Sequence, residues 1–386
     1  MPRVGAAILA AAALVPIAGC GGSTHSTKAA PGDARVSVSV DQCGKGWTGA
    51  SAGPQHFTLA NVDVRAGEVS LTDAKSGAVY DSIEPIGPGT TTHLSITLGA
   101  GSYRFVCAME DTDLISGPVV TLHGSTSDAA VPVQPVTQAD LITATKGYET
   151  YVKGQLPTLD TETQALAAAI DTGDRSGAET AWLTAHAEYE RLGAAYGAFG
   201  DLDAAINGLP NGLPQGIHDP GWKGFHKVEY GLWHGEPLPA LRPATAALLT
   251  SVRALQKTLA DTQIDPAQLS IRAHEITENA LQFELTGQTD FGSHCALATI
   301  RANLDGTQTV LALVRPLLAP RYTGLAALDT ALAKAKLQID ALKKGARWPP
   351  LTALATSERE RLDATISDLS ERLAPVASIL EPRRAS

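Results

Sequence analysis

The sequence predicts a multidomain protein, an all-β sandwich near the N-terminus followed by an all-α helical bundle. Three observations predict it. The chain has 386 residues, more than one ordinary hydrophobic core takes, since domains of roughly 100–200 residues are the norm. Between residues 35 and 124 apolar side chains alternate in short runs broken by Gly and Pro, whereas beyond residue 137 they recur every three or four positions. Hydrophobic residues make up 44% and aromatics only 5%, so Ala, Leu, Val and Ile must fill the core, and Ala and Leu favour helices.

At the N-terminus, Arg3 precedes an apolar run from Val4 to Ile17 that closes on Ile17-Ala18-Gly19-Cys20. This run is too short to cross a bilayer, which takes about 20 residues, but it suits the central region of a secretion signal. Residues 1–19 therefore read as a lipoprotein signal peptide and Cys20 as the lipidation site that anchors the mature chain to the cell membrane. Residues 20–34, with Gly21, Gly22 and a polar stretch to Gly32, read as a tether. A plain secretory signal with an incidental Cys20 is the alternative. Either way the expected location is extracytoplasmic, in the cell envelope or periplasmic space, where disulfides are permitted. Cys43 and Cys107 fall in one domain, and joining them would close a long loop; Cys295 stands alone in the helical region and reads as a small buried apolar residue.

The strands expected over 35–124 are Val36-Ser37-Val38-Ser39-Val40, Phe57-Thr58-Leu59, Leu94-Ser95-Ile96-Thr97-Leu98, Tyr103-Arg104-Phe105-Val106 and Val119-Val120-Thr121-Leu122, in an antiparallel sandwich. Residues 125–137 hold Pro132 and Pro135 among small residues without periodicity, which marks a linker. Thr137 with Asp140 then resembles a helix N-terminal cap, and Leu141, Tyr148, Tyr151, Val152, Leu156, Leu159, Leu166 and Ile170 follow at helical spacing, with a break expected at Pro157. Further helices are expected over 175–199, 222–233, 240–260, 266–286, 293–318, 325–344 and 357–379, so that 138–386 forms one bundle.

The formal charge of -10, with 30 scattered basic residues, argues against a nucleic-acid partner and leaves cations as the natural ligands. His226 and Glu229 sit i, i+3 on an expected helix, so imidazole and carboxylate leave from one face. The preceding helix offers His186 and Glu190 at i, i+4, followed by Phe199-Gly200-Asp201-Leu202-Asp203 with two more carboxylates. Acids facing a His across a bundle form a donor set for iron or zinc. Glu68, Glu84, Glu110, Asp111 and Asp113 in the β region read as solvated loop acids rather than a second cation site.

These motifs bring a resemblance into view. Tyr148-Glu149-Thr150-Tyr151-Val152, Trp182-Leu183-Thr184-Ala185-His186-Ala187-Glu188-Tyr189-Glu190, Phe199-Gly200-Asp201-Leu202-Asp203 and Gly224-Phe225-His226-Lys227-Val228-Glu229, continuing through Leu285-Thr286-Gly287, Ser293-His294 and Ala302-Asn303-Leu304-Asp305-Gly306, resemble in order the EfeO-like lipoproteins. Their bundle is the imelysin, or insulin-cleaving peptidase, domain. The resemblance implies a cupredoxin-like sandwich ahead of an imelysin-like helical bundle, with Cys43 and Cys107 at the paired cysteine positions of the sandwich. It also implies an iron uptake component that binds iron, with zinc or copper as other candidates, and works beside a membrane iron permease and a dye-decolourising-type haem peroxidase. Matched residue by residue, it makes His226, Glu229 and Glu190 the metal ligands, with Asp203 and His294 near the cleft.

Departures from the family pattern fall where its acids stand, at Gly193, Asn207 and Gly287-Gln288-Thr289-Asp290, and a run usually carrying two Asp is here Cys295-Ala296-Leu297-Ala298-Thr299-Ile300. Fewer carboxylates imply a weaker or altered site. A blue-copper centre is not expected, because Cys107-Ala108-Met109 lacks the neighbouring His. The reading is of a binding component, not an enzyme; a metal-dependent peptidase and a degenerate partner-binding bundle are the alternatives, and no His-Glu-x-x-His supports the first.

Overall fold

The computed structural model describes residues 33–49, 51–345 and 347–383. The signal peptide, Cys20 and nearly all of the tether lie outside the described residues. Two compact units divide the chain, one comprising Ile83–Ala130 and the chain up to Val69, the other Ser70–Ser82 and Val131 onward.

Among the described residues eight strands occupy the N-terminal region: β1 (Asp33–Val38), β2 (Gly53–Asn61), β3 (Gly67–Asp73), β4 (Val79–Ile86), β5 (Thr91–Leu98), β6 (Gly101–Met109), β7 (Ile115–Ser116) and β8 (Val120–Leu122). One sheet runs β1-β2-β5; the other runs β4-β3-β6-β7, with β8 also on β6. The sandwich is not wholly antiparallel as expected, because β1 pairs with β2 in parallel, Val36 opposite Leu59. Along β6 the side chains of Tyr103, Phe105, Cys107 and Met109 are buried at every second position, the period of a strand with one face inward. Phe57, Phe105 and Trp47 meet edge-to-face within 5.0–5.6 Å, and Cys43 is bonded to Cys107 with Cα atoms 5.9 Å apart. β3 and β4 went unread in the sequence: in β3 the alternation is carried by Val69 and Leu71 alone, with Ser70 and Thr72 on the other face, too short a run to stand out.

Ten α-helices follow among the described residues: α1 (Gln138–Thr172), α2 (Arg175–Glu190), α3 (Tyr196–Phe199), α4 (Asp201–Asn207), α5 (Phe225–Trp233), α6 (Leu238–Leu259), α7 (Pro266–Asn279), α8 (Ala296–Leu318), α9 (Leu325–Ala341) and α10 (Thr356–Leu380). Thr137 and Asp140 close a reciprocal capping box on α1, and Gly173, in the left-handed region at φ 80°, ends it. The expected break at Pro157 is absent, since α1 runs through it. Of its eight periodic apolar residues, Leu141 to Ile170, all but the half-buried Tyr151 are buried, each worth about 1.5–3 kcal/mol. That burial outweighs the roughly 3 kcal/mol a proline opposes to a helix. α1 packs on α2 and α6, α10 on α7 and α9, and α8 on α2 and α7. Among the described residues no helix is long and apolar enough to cross a membrane.

Two expected helices end early, and both endings shape the site. The helix expected over 175–199 stops at Glu190, because Leu192-Gly193-Ala194-Ala195 turns into a 3-10 segment. The helix expected over 266–286 stops at Asn279 and continues as a π turn over Ala280–Glu284. The expected starts at 222 and 293 are trimmed to Phe225 and Ala296.

Candidate metal centre

On α2, Trp182, His186 and Glu190 follow one another at i, i+4 and i+8, one stripe of the helix. Trp182 stacks on His186 with ring centres 4.6 Å apart, and its Nε1 donates to the Phe225 carbonyl at 2.8 Å, tying α2 to the first residue of α5. Gly224 makes that start possible: its φ is 91°, and a Cβ there would stand 2.5 Å from the Ile206 carbonyl oxygen. His226, second in α5, thereby faces His186, with ring centres 5.3 Å apart.

His226 Nδ1 lies 2.9 Å from Glu229 Oε2. Glu229 is wholly buried, and its other oxygen accepts from the Phe291 N–H at 2.9 Å, the Ser293 N–H at 3.2 Å and the Ser293 hydroxyl at 2.6 Å. Burial opposes its ionisation, yet the His226 hydrogen bond and charge, with the Ser293 hydroxyl, hold its carboxyl below the usual range. An ionised Glu229 accepts a hydrogen bond from Nδ1–H, and in the neutral imidazole this leaves Nε2 of His226 as the nitrogen with a free lone pair. Glu229 thus positions an imidazole.

Glu190 is also buried, at 7% exposure. Its Oε1 accepts from Asn207 Nδ2 at 2.8 Å and stands 3.2 Å from His186 Nε2, an ion-pair contact without hydrogen-bond alignment. With the amide of Asn303 turned to satisfy both its ends, its nitrogen donates to the Glu190 carbonyl at 2.8 Å and to Oε2 at 3.0 Å. Burial pushes Glu190 up, but His186 beside it holds the carboxylate ionised and lowers it on balance. His186 in turn is raised well above the ordinary imidazole value, with burial working against that and the Cys295 thiol and Glu190 carboxylate overriding it. Cys295 is half-buried and adjoins this pair, a placement that its isolation in the sequence did not signal.

A cleft of about 360 Å³ opens beside these groups, lined by His226, Glu190, Asp203, Glu284, Arg272, Glu275 and Asn303 among others. Burial and the charge of Glu190 push Glu284 up to about 8, so at neutral pH it carries its proton. Asp203, raised by burial, accepts a hydrogen bond from the Tyr189 hydroxyl. The five residues named from the sequence therefore separate. His226, Glu190 and Asp203 line the cleft; Glu229 stands behind His226; His294 does not line it. The His294 side chain is 59% exposed and pairs with Asp290 at 3.3 Å, because its positive φ of 56° turns it outward. Sequence reasoning missed Glu284, which a straight helix through 286 rotates away and the π turn brings round, and Arg272. Among the described residues no three His, Cys, Asp or Glu side chains stand already arranged to hold a metal ion.

A helical bundle with a buried His-x-x-Glu pair beside an acid-lined cleft is the architecture in hand, and residues 144–376 match the pattern of the imelysin family, peptidase M75. The chain belongs to that family. It is 27% identical over 354 residues to the iron uptake system component EfeO of Escherichia coli strain K12, covering 90% of this chain and 91% of that protein, and equally similar to EfeO of Shigella flexneri. A solved imelysin-like protein from Psychrobacter arcticum 273-4 covers 66% of this chain and 100% of its own, with a TM-score of 0.49 at 13% identity.

Proposed function

We propose that the helical unit binds an iron ion in the cleft beside α2 and α5, as an extracytoplasmic component of an iron uptake system that hands the ion to a membrane permease. The observation that carries the reading is His226, whose Nδ1 is committed to a saturated, buried Glu229 while the residue itself lines a cleft shared with Glu190 and Glu284. An anchored imidazole with two carboxyl groups is a donor set suited to iron, and also to zinc. His226, Glu190 and Glu284 would hold the ion. Glu190 would exchange an amide partner, Asn207 or Asn303, for it.

Similarity to proteins named as iron uptake components supports the uptake role and a binding protein over an enzyme. On this reading Cys20 carries lipid, and the partners are a membrane iron permease and a dye-decolourising-type haem peroxidase. The β unit is read as cupredoxin-like without a blue-copper site, since the disulfide to Cys43 occupies the Cys107 thiolate such a site would need.

Calorimetric titration of the tag-free protein with Fe(II) and Zn(II) tests the proposal. The expected result is one ion per chain, with affinity reduced about a hundredfold in His226→Ala and Glu190→Gln, the loss of a direct ligand exceeding about 2.7 kcal/mol. Equal heats in wild type and both variants would refute the site.

A further inference from the structure

Arg272 on α7 lines the same cleft as His226, Glu190 and Glu284, and a bare cation has no use for it. Its Nη1 donates to Glu275 Oε2 at 2.7 Å, and Nη2 lies over Gly197, where a Cβ would stand 3.3 Å away. The Nε atom is buried and has no hydrogen-bond partner. Asn207, on the same cleft wall, gives its Nδ2 to Glu190 and leaves Oδ1 buried and unpartnered. An orphaned buried donor and an orphaned buried acceptor are each destabilising, and such groups in a native cleft call for a partner. A guanidinium on the wall of a cation site also repels the cation unless an anion comes between them.

Size points the same way. A dehydrated ion needs less room than one water, about 30 Å³. The cleft, at about 360 Å³, falls instead in the range of pockets that enclose small organic molecules, roughly 300–1,000 Å³.

We propose that the cleft takes its cation together with a small hydroxycarboxylate chelator, the chelator's carboxylate meeting Arg272, its hydroxyl donating to Asn207 Oδ1, and the ion held by His226, Glu190 and Glu284. The inference rests on the metal-binding reading above and adds the chemical form in which the ion is carried. Glu275 already balances part of the Arg272 charge, and Asp203 and Glu190 add acid to the wall, so the chelator enters with its metal and not alone.

Equilibrium dialysis of the tag-free full chain with doubly labelled ferric citrate, alongside citrate alone and zinc in carboxylate-free buffer, tests it. One citrate per iron per chain is expected, with citrate alone unretained. Arg272→Gln should weaken retention of the complex by about tenfold or more, and Arg272→Lys, which keeps the charge but loses the planar fork, by less. Zinc in carboxylate-free buffer should bind Arg272→Gln no more weakly than wild type, since the substitution removes a repelling charge, and retained zinc binding also shows that the variants fold. Iron retained from ferric citrate without its citrate, and equally in wild type and Arg272→Gln, would overturn the chelator and leave the metal site standing. Carbonate retained in place of citrate would overturn the hydroxycarboxylate. No binding of zinc, iron or ferric citrate would overturn both proposals.

Discussion

Four donors converge on the carboxylate of Glu229, and that convergence explains why a residue with the look of a ligand does not line the cleft. In Glu229→Ala the Ser293 hydroxyl, two backbone N–H groups and His226 Nδ1 would lose their partner in a buried place. Breaking such a pair costs about 3–5 kcal/mol, which for a domain of this size lowers the thermal midpoint by about 10 °C. Glu229→Gln keeps the shape and much of the hydrogen bonding but no longer fixes the imidazole tautomer. Its metal affinity should fall about 10–100-fold, the usual effect of removing a group that orients a ligand, without being abolished. Complete loss of binding in a folded Glu229→Gln would instead make Glu229 a ligand.

Between neighbouring helices, the α1–α2 packing holds a second pair of acids, Glu162 and Glu188, with Arg191 donating to Glu188 at 2.6 Å. Burial and the charge of Glu188 push Glu162 up from 4.5 to about 7, despite Arg191. Between those two values the folded state holds the proton that the unfolded state has lost, so stability falls as pH rises through the window and levels off above it. Glu162→Gln removes that penalty. Its thermal midpoint should exceed wild type at pH 8, and the difference should vanish near pH 4.5; a constant difference across pH would contradict the account. Legibility follows the same physics at this scale. The long helices α1, α6, α8, α9 and α10 could be read because one stripe of Leu, Val and Ile meets a single core. The pairing of His226 with Glu229 was legible as i, i+3 spacing, but spacing does not tell which partner faces the cleft. Glu284 was illegible because a π turn shifts the helical phase by one residue, and β3 because its alternation is carried by Val69 and Leu71 alone.

At the scale of the whole molecule, the two units draw stability from different sources, which gives each a separate lever. The β unit owns the Cys43–Cys107 bond, which spans 64 positions and on the chain-entropy account stabilises the folded state by about 4 kcal/mol. The helical unit owns the cleft, and a cation that binds only the folded state at a hundred times its dissociation constant adds about 2.7 kcal/mol. Scanning calorimetry of the full chain should therefore respond selectively. Reductant should lower the transition of the β unit and leave the metal-induced rise in the other, while zinc should raise the helical transition in wild type and not in His226→Ala. If reductant abolished the zinc-induced rise, the assignment of the ion to the helical unit would fail, because the cleft residues from Glu190 to Asn303 all belong to the unit without the disulfide.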